Sequence, residues 1–127
     1  MTSDRIVISL CGLHSVGFAL FHAGFWRLFG WRRSLANATF ADRAVIQILN
    51  TQLIFVFVAV AAACFAWPDD LLTTRLGRAL LAAMSLFWLV RLAQQAIFLR
   101  VNRPLVHALS LLFALGAALF AWPLLRQ

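Results

Sequence analysis

Four long apolar stretches, joined by short segments that carry most of the arginines, constrain this chain more than any other feature. The stretches cover residues 6–26, 44–67, 79–99 and 104–125. Each is close to the roughly 20 residues that an α-helix needs to cross the hydrocarbon core of a bilayer. Within lipid the backbone must satisfy its own hydrogen bonds, so stretches of this length are expected to be helical. The sequence predicts an all-α polytopic membrane protein with four transmembrane helices in a compact bundle, forming one domain over residues 1–127.

The composition supports the same class of protein. Of the 127 residues, 64% are hydrophobic and 12% are charged, and the mean hydropathy is +0.91, which is beyond the range of soluble globular domains. The net charge of +7 is scattered between the apolar stretches, an arrangement that favours anionic lipid headgroups over nucleic acid. The predicted partners are the lipid bilayer and its anionic headgroups, with a homo-oligomer or a larger membrane complex as further partners. No nucleic acid is expected.

Several local signals mark helix ends. Thr39 precedes Asp42 by three residues, which predicts an N-cap and a first-turn acid at the start of the second helix. Pro68 is expected to stop that helix and to be followed by a short loop. Asn102 can cap the fourth helix, and Pro104 is tolerated in its first turn because the amide proton it lacks would be unpaired there.

The arginines set the predicted orientation. The first and third links carry six of them, which are Arg27, Arg32, Arg33, Arg43, Arg100 and Arg103. The opposite side carries four, which are Arg5, Arg75, Arg78 and Arg126. The protein is expected in the inner membrane of a bacterium. Because cytoplasmic links carry an excess of basic residues, we place the first and third links in the cytoplasm and both termini in the periplasm. Residues 26–43 also combine tryptophan with arginine, as is typical of a segment at the headgroup level.

A repeated tetrapeptide offers a finer description of the fold. Phe-Ala-Trp-Pro occurs at residues 65–68 and again at 120–123, each time near the end of an apolar stretch. One interpretation is two tandem helical hairpins related by a pseudo-twofold axis along the membrane normal. The alternative is that tryptophan and proline mark helix ends at the membrane interface.

Polar residues inside the apolar stretches suggest a binding site. Arg91 lies within the third stretch, where an arginine costs roughly 2.5–3.5 kcal/mol at the helix centre. At a rise of 1.5 Å per residue, polar side chains from all four helices are expected at one level, roughly 5–9 Å below the cytoplasmic interface, with Arg91 a turn deeper. The predicted ligand-binding residues are Arg91, His22, Asn50, Gln94, His107 and Gln47.

Two functions remain open for these polar residues. In the first, they hydrogen-bond between neighbouring helices of a non-enzymatic structural or accessory membrane protein. In the second, they form a cytoplasmic-side pocket of a binding or transport protein for an anion, a lipid headgroup or a quinone. All four acidic residues, Asp4, Asp42, Asp69 and Asp70, lie outside the apolar stretches. No intramembrane carboxylate is therefore available for proton-coupled export or general acid catalysis, and no catalytic residue is predicted.

Histidine and cysteine residues add one more alternative. His22 and His107 are expected at similar depth, so a bis-histidine haem site is a third possible function. No metal site is predicted, because no acid or thiol lies near that pair, and no cofactor is assigned. Cys11 and Cys64 do not form a Cys-x-x-Cys motif and are predicted to be free thiols.

Overall fold

The computed structural model describes residues 2–126, and this part of the chain is all-helical, with 86% helix and no strands. In chain order the helices are α1 Ser3–Ala23, α2 Phe25–Leu28, α3 Trp31–Ser34, α4 Phe40–Ala66, α5 Pro68–Thr73, α6 Arg75–Phe98 and α7 Pro104–Leu125. By length and composition, α1, α4, α6 and α7 are able to cross a membrane. The all-α prediction and the four apolar helices are confirmed.

The start and the end of α4 follow their sequence signals, whereas the segment after it does not. α4 begins at Phe40, and the Thr39 hydroxyl accepts a hydrogen bond of 3.1 Å from the backbone amide of Asp42. α4 ends at Ala66, before Pro68, as predicted. The loop expected after Pro68 is wrong, because Pro68 opens α5. The proline fits a first turn, and the two aspartates that follow it stabilise the positive end of a helix dipole.

The predicted cap of α7 is also wrong. Arg103 occupies the N-cap position and makes no capping hydrogen bond through its side chain. Asn102 uses its Oδ1 atom instead to contact Nε2 of His107 at 2.7 Å. Pro104 lies in the first turn of α7, as its missing amide proton predicts.

The described chain forms two compact units. The first unit is Gly12–Ala62, and the second unit is Met1–Cys11 with Ala63–Gln127. In the first unit the later part of α1 packs antiparallel on the earlier part of α4, with the Phe18 and Phe57 ring centroids 6.0 Å apart. The short helices α2 and α3 are joined at Gly30, whose φ of +55° favours glycine.

In the second unit, α6 and α7 form an antiparallel hairpin. The buried residues of α6 lie on one face of the helix and are Gly77, Leu81, Met84, Ser85, Trp88 and Gln95. The Trp88 indole stacks on the Phe113 ring with centroids 5.6 Å apart. One turn earlier, the Ser85 hydroxyl donates a 2.8 Å hydrogen bond to the Ala117 carbonyl. These contacts fix the register of the two helices.

The backbones of α5 and α6 approach each other closely in the second unit. Thr74 caps α6, since its hydroxyl accepts from the Gly77 amide at 2.9 Å and donates to the Asp70 carbonyl at 2.7 Å. A Cβ atom on Gly77 would lie 2.5 Å from Cα of Leu71 and would clash with the Asp70 carbonyl oxygen. Only glycine allows α5 to pack this closely.

An ion pair joins the start of α1 to α5 within the second unit. The Arg5 guanidinium donates from Nε to Oδ1 of Asp69 at 2.8 Å and also contacts the second carboxylate oxygen. Hydrogen bonding to Arg5 lowers the pKa of Asp69 below its ordinary value. Both side chains are substantially exposed, so the pair contributes little to stability. Cys11 and Cys64 are buried thiols of the same unit.

Candidate functional site

A cavity of the first unit lies where α2 and α3 meet the start of α4. Its volume is about 680 Å³, and its lining residues are Trp26, Arg27, Trp31, Arg32, Leu35, Ala36, Arg43 and Gln47. The lining includes three arginines and two tryptophans and contains no acidic residue. We call it the basic cavity. Such a lining suits a ligand in which an anionic group adjoins apolar surface.

The tryptophans of the basic cavity are held by packing and by a hydrogen bond. The turn at Gly30 brings the Trp31 ring edge-to-face with the Trp26 ring, with centroids 5.3 Å apart. The Trp26 indole N–H donates to Oε1 of Gln47 at 3.0 Å. Gln47 in turn donates from Nε2 to the Arg43 carbonyl at 2.9 Å. The amide of Gln47 thereby connects α2 to the first turns of α4.

The three arginines are not equivalent. Arg43 donates from Nη1 to the carbonyls of Leu35 and Ala36, both at 3.3 Å, and so satisfies carbonyls at the end of α3. Arg27 and Arg32 are exposed, and within residues 2–126 their guanidinium groups form no hydrogen bond or ion pair. A guanidinium presents a planar fork that binds phosphate or carboxylate oxygens in pairs. Arg27 and Arg32 are therefore available to an anion.

A second cavity of the first unit adjoins the basic cavity at Trp31, which lines both. Its volume is about 320 Å³, and its lining residues are His22, Phe25, Phe29, Trp31, Ile46, Leu49, Asn50 and Leu53. We call it the aromatic cavity. Its rings are closely packed, with the Phe25 centroid 4.8 Å from that of Phe29. The surface is almost entirely apolar and suits a hydrocarbon chain.

His22 and Asn50 form a hydrogen-bonded pair between α1 and α4. Asn50 donates from Nδ2 to the His22 carbonyl at 2.9 Å, and its Oδ1 lies 2.8 Å from Nδ1 of His22. Because the Asn50 oxygen can only accept, the imidazole carries its proton on Nδ1. The His22 carbonyl is one of the last in α1, where intrahelical donors run out. The two contacts of this pair link the C-terminal end of α1 to α4.

The second unit has its own cavity at the α6–α7 turn. Its volume is about 450 Å³, and its lining residues are Leu92, Gln95, Ala96, Leu99, Arg100, Val101, Asn102, Val106, His107 and Ser110. We call it the hairpin cavity. Gln95 is only 3% exposed, and its Nε2 donates to the Val106 carbonyl at 3.2 Å. Its Oε1 atom is buried and accepts no hydrogen bond from the described residues.

The six predicted site residues fall in both units. His22, Gln47 and Asn50 belong to the first unit, where His22 and Asn50 are in contact and Gln47 lines the basic cavity. The other three, which are Arg91, Gln94 and His107, belong to the second unit. A single site formed by all six stays a prediction.

The three residues of the second unit have different surroundings. The half-buried Arg91 places its guanidinium carbon 4.6 Å from the centroid of the Phe113 ring, a cation–π contact. Gln94 is exposed, and the adjacent Gln95 is the buried amide. His107 lines the hairpin cavity and contacts Asn102 through Nε2. Within the part of the chain that is described, no group of three or more His, Cys, Asp or Glu residues could hold a metal ion.

Most residues of the basic cavity were not predicted as a site. Gln47 was in the predicted set, whereas the tryptophans and arginines were interpreted only as an interfacial segment. The available signal was the alternation of tryptophan and arginine in residues 26–43. No protein-family model, curated protein or solved structure matches this chain. Its function therefore has to be inferred from its own residues.

Proposed function

We propose that this chain is a multi-pass membrane protein that binds the headgroup phosphate of an anionic phospholipid in the basic cavity. The observation that carries the proposal is the cavity lining of three arginines and two tryptophans without an acidic residue. Two of those arginines, Arg27 and Arg32, have no ion-pair partner among residues 2–126. Charge-assisted hydrogen bonds from guanidinium to phosphate are the contacts that this lining can provide.

The apolar surface supports membrane insertion. Large apolar side chains are exposed on all four long helices, including Leu20 at 69%, Phe55 at 69%, Leu86 at 60% and Leu111 at 73%. Such surface is rare on soluble monomers, whereas in a bilayer it contacts acyl chains. With α1, α4, α6 and α7 as spans, the α2–α3 segment lies at the headgroup level. Tryptophan is enriched at that level because its ring is apolar and its N–H is polar.

The neighbouring aromatic cavity favours a lipid over a free anion. Trp31 lines both the basic cavity of about 680 Å³ and the aromatic cavity of about 320 Å³. A phospholipid has the matching arrangement, with a phosphate head joined directly to hydrocarbon. A free inorganic anion would use only the first cavity. The shared chemistry of both ligands is the phosphate, and the acyl chain distinguishes them.

A charge-matched pair of variants tests the binding site. In Arg27→Gln/Arg32→Gln, the apparent affinity for phosphatidylglycerol should fall by roughly tenfold or more, because hydrogen bonds to charged groups contribute about 1.5–3 kcal/mol each. The measurement is the melting temperature of purified protein in a neutral maltoside detergent, titrated with phosphatidylglycerol or phosphatidylcholine. Wild type should be stabilised more strongly by phosphatidylglycerol.

The control for this experiment is Arg33→Gln/Arg75→Gln, which removes the same charge from two exposed arginines that do not line the cavity. It should keep the wild-type response to phosphatidylglycerol. Equal losses in both double variants would indicate a general charge effect and would contradict the site. Inorganic phosphate at the same concentration should stabilise wild type less than the lipid does. An undiminished lipid response in the Arg27/Arg32 variant would favour a purely structural protein.

The proposed orientation is tested by cysteine labelling. Single cysteines at Ser34 and Thr73, both exposed, are introduced in a Cys11→Ala/Cys64→Ala background. With the first link in the cytoplasm and both termini in the periplasm, an impermeant maleimide applied to intact bacterial cells should label only the Thr73 site. Labelling at Ser34 alone would reverse the orientation. Equal labelling at both sites would indicate insertion in two orientations.

A further inference from the structure

We propose that the hairpin cavity binds a single-chain acyl amphiphile that has an acidic head and a hydrogen-bond donor between its head and its chain. This inference rests on the membrane placement of α6 and α7 proposed above, and it does not depend on the basic cavity. The candidate donors are a hydroxyl group, as in a lysophospholipid, and an amide N–H, as in an N-acyl amino acid. Both present the same chemistry to the cavity.

The buried side chain of Gln95 is the reason why the ligand must carry a hydrogen-bond donor. Its side chain is buried in the lining, its Nε2 is bonded to the Val106 carbonyl, and its Oε1 has no partner among the described residues. Leaving a buried acceptor without a hydrogen bond is unfavourable, because nothing compensates for the loss of its hydration. A ligand that donates to Oε1 compensates for this loss. A ligand that has only acceptors in that position does not.

Arg100 provides the contact for an acidic head. It is exposed, follows the end of α6 and lines the hairpin cavity, and its Nε donates to the carbonyl of Ala96, another lining residue, at 3.1 Å. Its two terminal nitrogens have no partner within residues 2–126. The cavity lining contains no acidic residue that could compete with a ligand.

The order of these groups along the helix selects the ligand. Gln95 lies in the last turn of α6, which ends at Phe98, whereas Arg100 follows the end of the helix, so under the proposed membrane placement Gln95 lies further from the interface. The apolar residues Leu92 and Val106 complete the lining. A ligand must therefore present an acid, then a donor, then hydrocarbon. A diacyl phospholipid has ester oxygens below its phosphate, and these are acceptors that cannot pair with Oε1.

Two probes that differ only at the amide nitrogen test the inference. N-oleoylglycine has a carboxylate, an amide N–H and a chain, whereas N-oleoylsarcosine carries a methyl group in place of that hydrogen. Titrated calorimetrically into the 127-residue protein in maltoside detergent, N-oleoylglycine should bind wild type about tenfold more tightly than N-oleoylsarcosine does. Lysophosphatidic acid and its 2-O-methyl ether form the corresponding pair for a hydroxyl donor. The pair of probes with the larger ratio of affinities shows whether an amide N–H or a hydroxyl is the preferred donor.

Neighbouring variants separate the cavity from the rest of the helix. Gln95→Leu should bind both members of a pair equally, whereas Gln94→Leu, which removes an exposed amide, should keep the tenfold ratio. Equal binding of both members of both pairs by wild type would overturn the inference, and this comparison requires no variant. A ratio that persists in Gln95→Leu would also overturn it.

The double variant Arg27→Gln/Arg32→Gln separates the two proposals. It should lose its response to phosphatidylglycerol and keep the preference for N-oleoylglycine over N-oleoylsarcosine. A phosphatidylglycerol response that is unchanged, together with a retained preference, would contradict the basic cavity alone. A lost preference in this variant would contradict the assignment to Gln95.

Discussion

Gly77→Ala is expected to destabilise the protein by about 1–3 kcal/mol, the usual cost of forcing an extra carbon into a packed position. The added Cβ would lie 2.5 Å from Cα of Leu71 and would clash with the Asp70 carbonyl oxygen. Both neighbours are backbone atoms, so no rotamer change can relieve the contact. α5 would have to move away from α6, which would also strain the hydrogen bonds of Thr74.

The matched control for Gly77→Ala is Gly17→Ala. Gly17 is also helical, and apart from its chain neighbours and the nearby backbone of its own helix, no atom of the described residues lies within 4 Å of the position that its Cβ would occupy. Alanine is the better helix former, by about 0.8–1 kcal/mol in peptide hosts, so Gly17→Ala should be neutral or stabilising. The measurement is the melting temperature of each variant in the same detergent. Wild-type stability in Gly77→Ala would contradict the close packing of α5 on α6.

Asn50→Leu is expected to cost about 1–3 kcal/mol. Asn50 is 4% exposed, and its amide makes both hydrogen bonds of the pair with His22. Leucine is similar in size, so the packing volume is largely kept, and the lost hydrogen bonds dominate the effect. Melting temperatures of Asn50→Leu and of Gln52→Leu give the measurement. Gln52 is an exposed amide on the same helix, and its replacement should have little effect.

The double variant His22→Phe/Asn50→Leu shows whether the effect comes from the pair. Removing both partners leaves no imidazole N–H to be satisfied, so the double variant should be less destabilised than the sum of the single variants. Strict additivity would mean that His22 and Asn50 do not depend on each other, and would contradict the hydrogen-bonded pair.

The lengths of the apolar stretches made the helical fold predictable. Each stretch contains about one membrane thickness of helix, and the capping residue Thr39 marks a helix start that the structure confirms. The errors occurred in the links. α5 was expected to be a loop, because Pro68 and two aspartates resemble turn residues in a sequence. The same residues also suit a first helical turn, and packing against Gly77 selects the helix.

The basic cavity was harder to predict than the helices. The sequence showed tryptophan and arginine close together, but the cavity depends on contacts between residues far apart in the chain. Gly30 turns the chain between α2 and α3, and Gln47 bonds the Trp26 indole from α4. Arg43 was counted as one of six cytoplasmic charges, whereas its side chain caps α3. Local sequence patterns contain no information on these pairings.

Two residues of α6 illustrate the same limit. Gln94 and Gln95 are adjacent, and of the two only Gln94 was among the predicted site residues. Helix periodicity with Trp88 favours Gln95, seven residues later, and the structure buries Gln95 and exposes Gln94. The sequence placed the charge of Arg91 within an apolar stretch but gave no indication of the aromatic ring beside it. The structure places the Arg91 guanidinium against the face of the Phe113 ring.

The most direct test of the basic cavity is to identify, by its mass, the lipid that the protein retains after purification. Native mass spectrometry of wild type, released from membranes in a mild detergent, should show a population carrying one anionic phospholipid. That population should be strongly reduced in Arg27→Gln/Arg32→Gln and unchanged in Arg33→Gln/Arg75→Gln. Retention of the same lipid by all three proteins, or of phosphatidylethanolamine in preference to anionic lipid by wild type, would contradict the account.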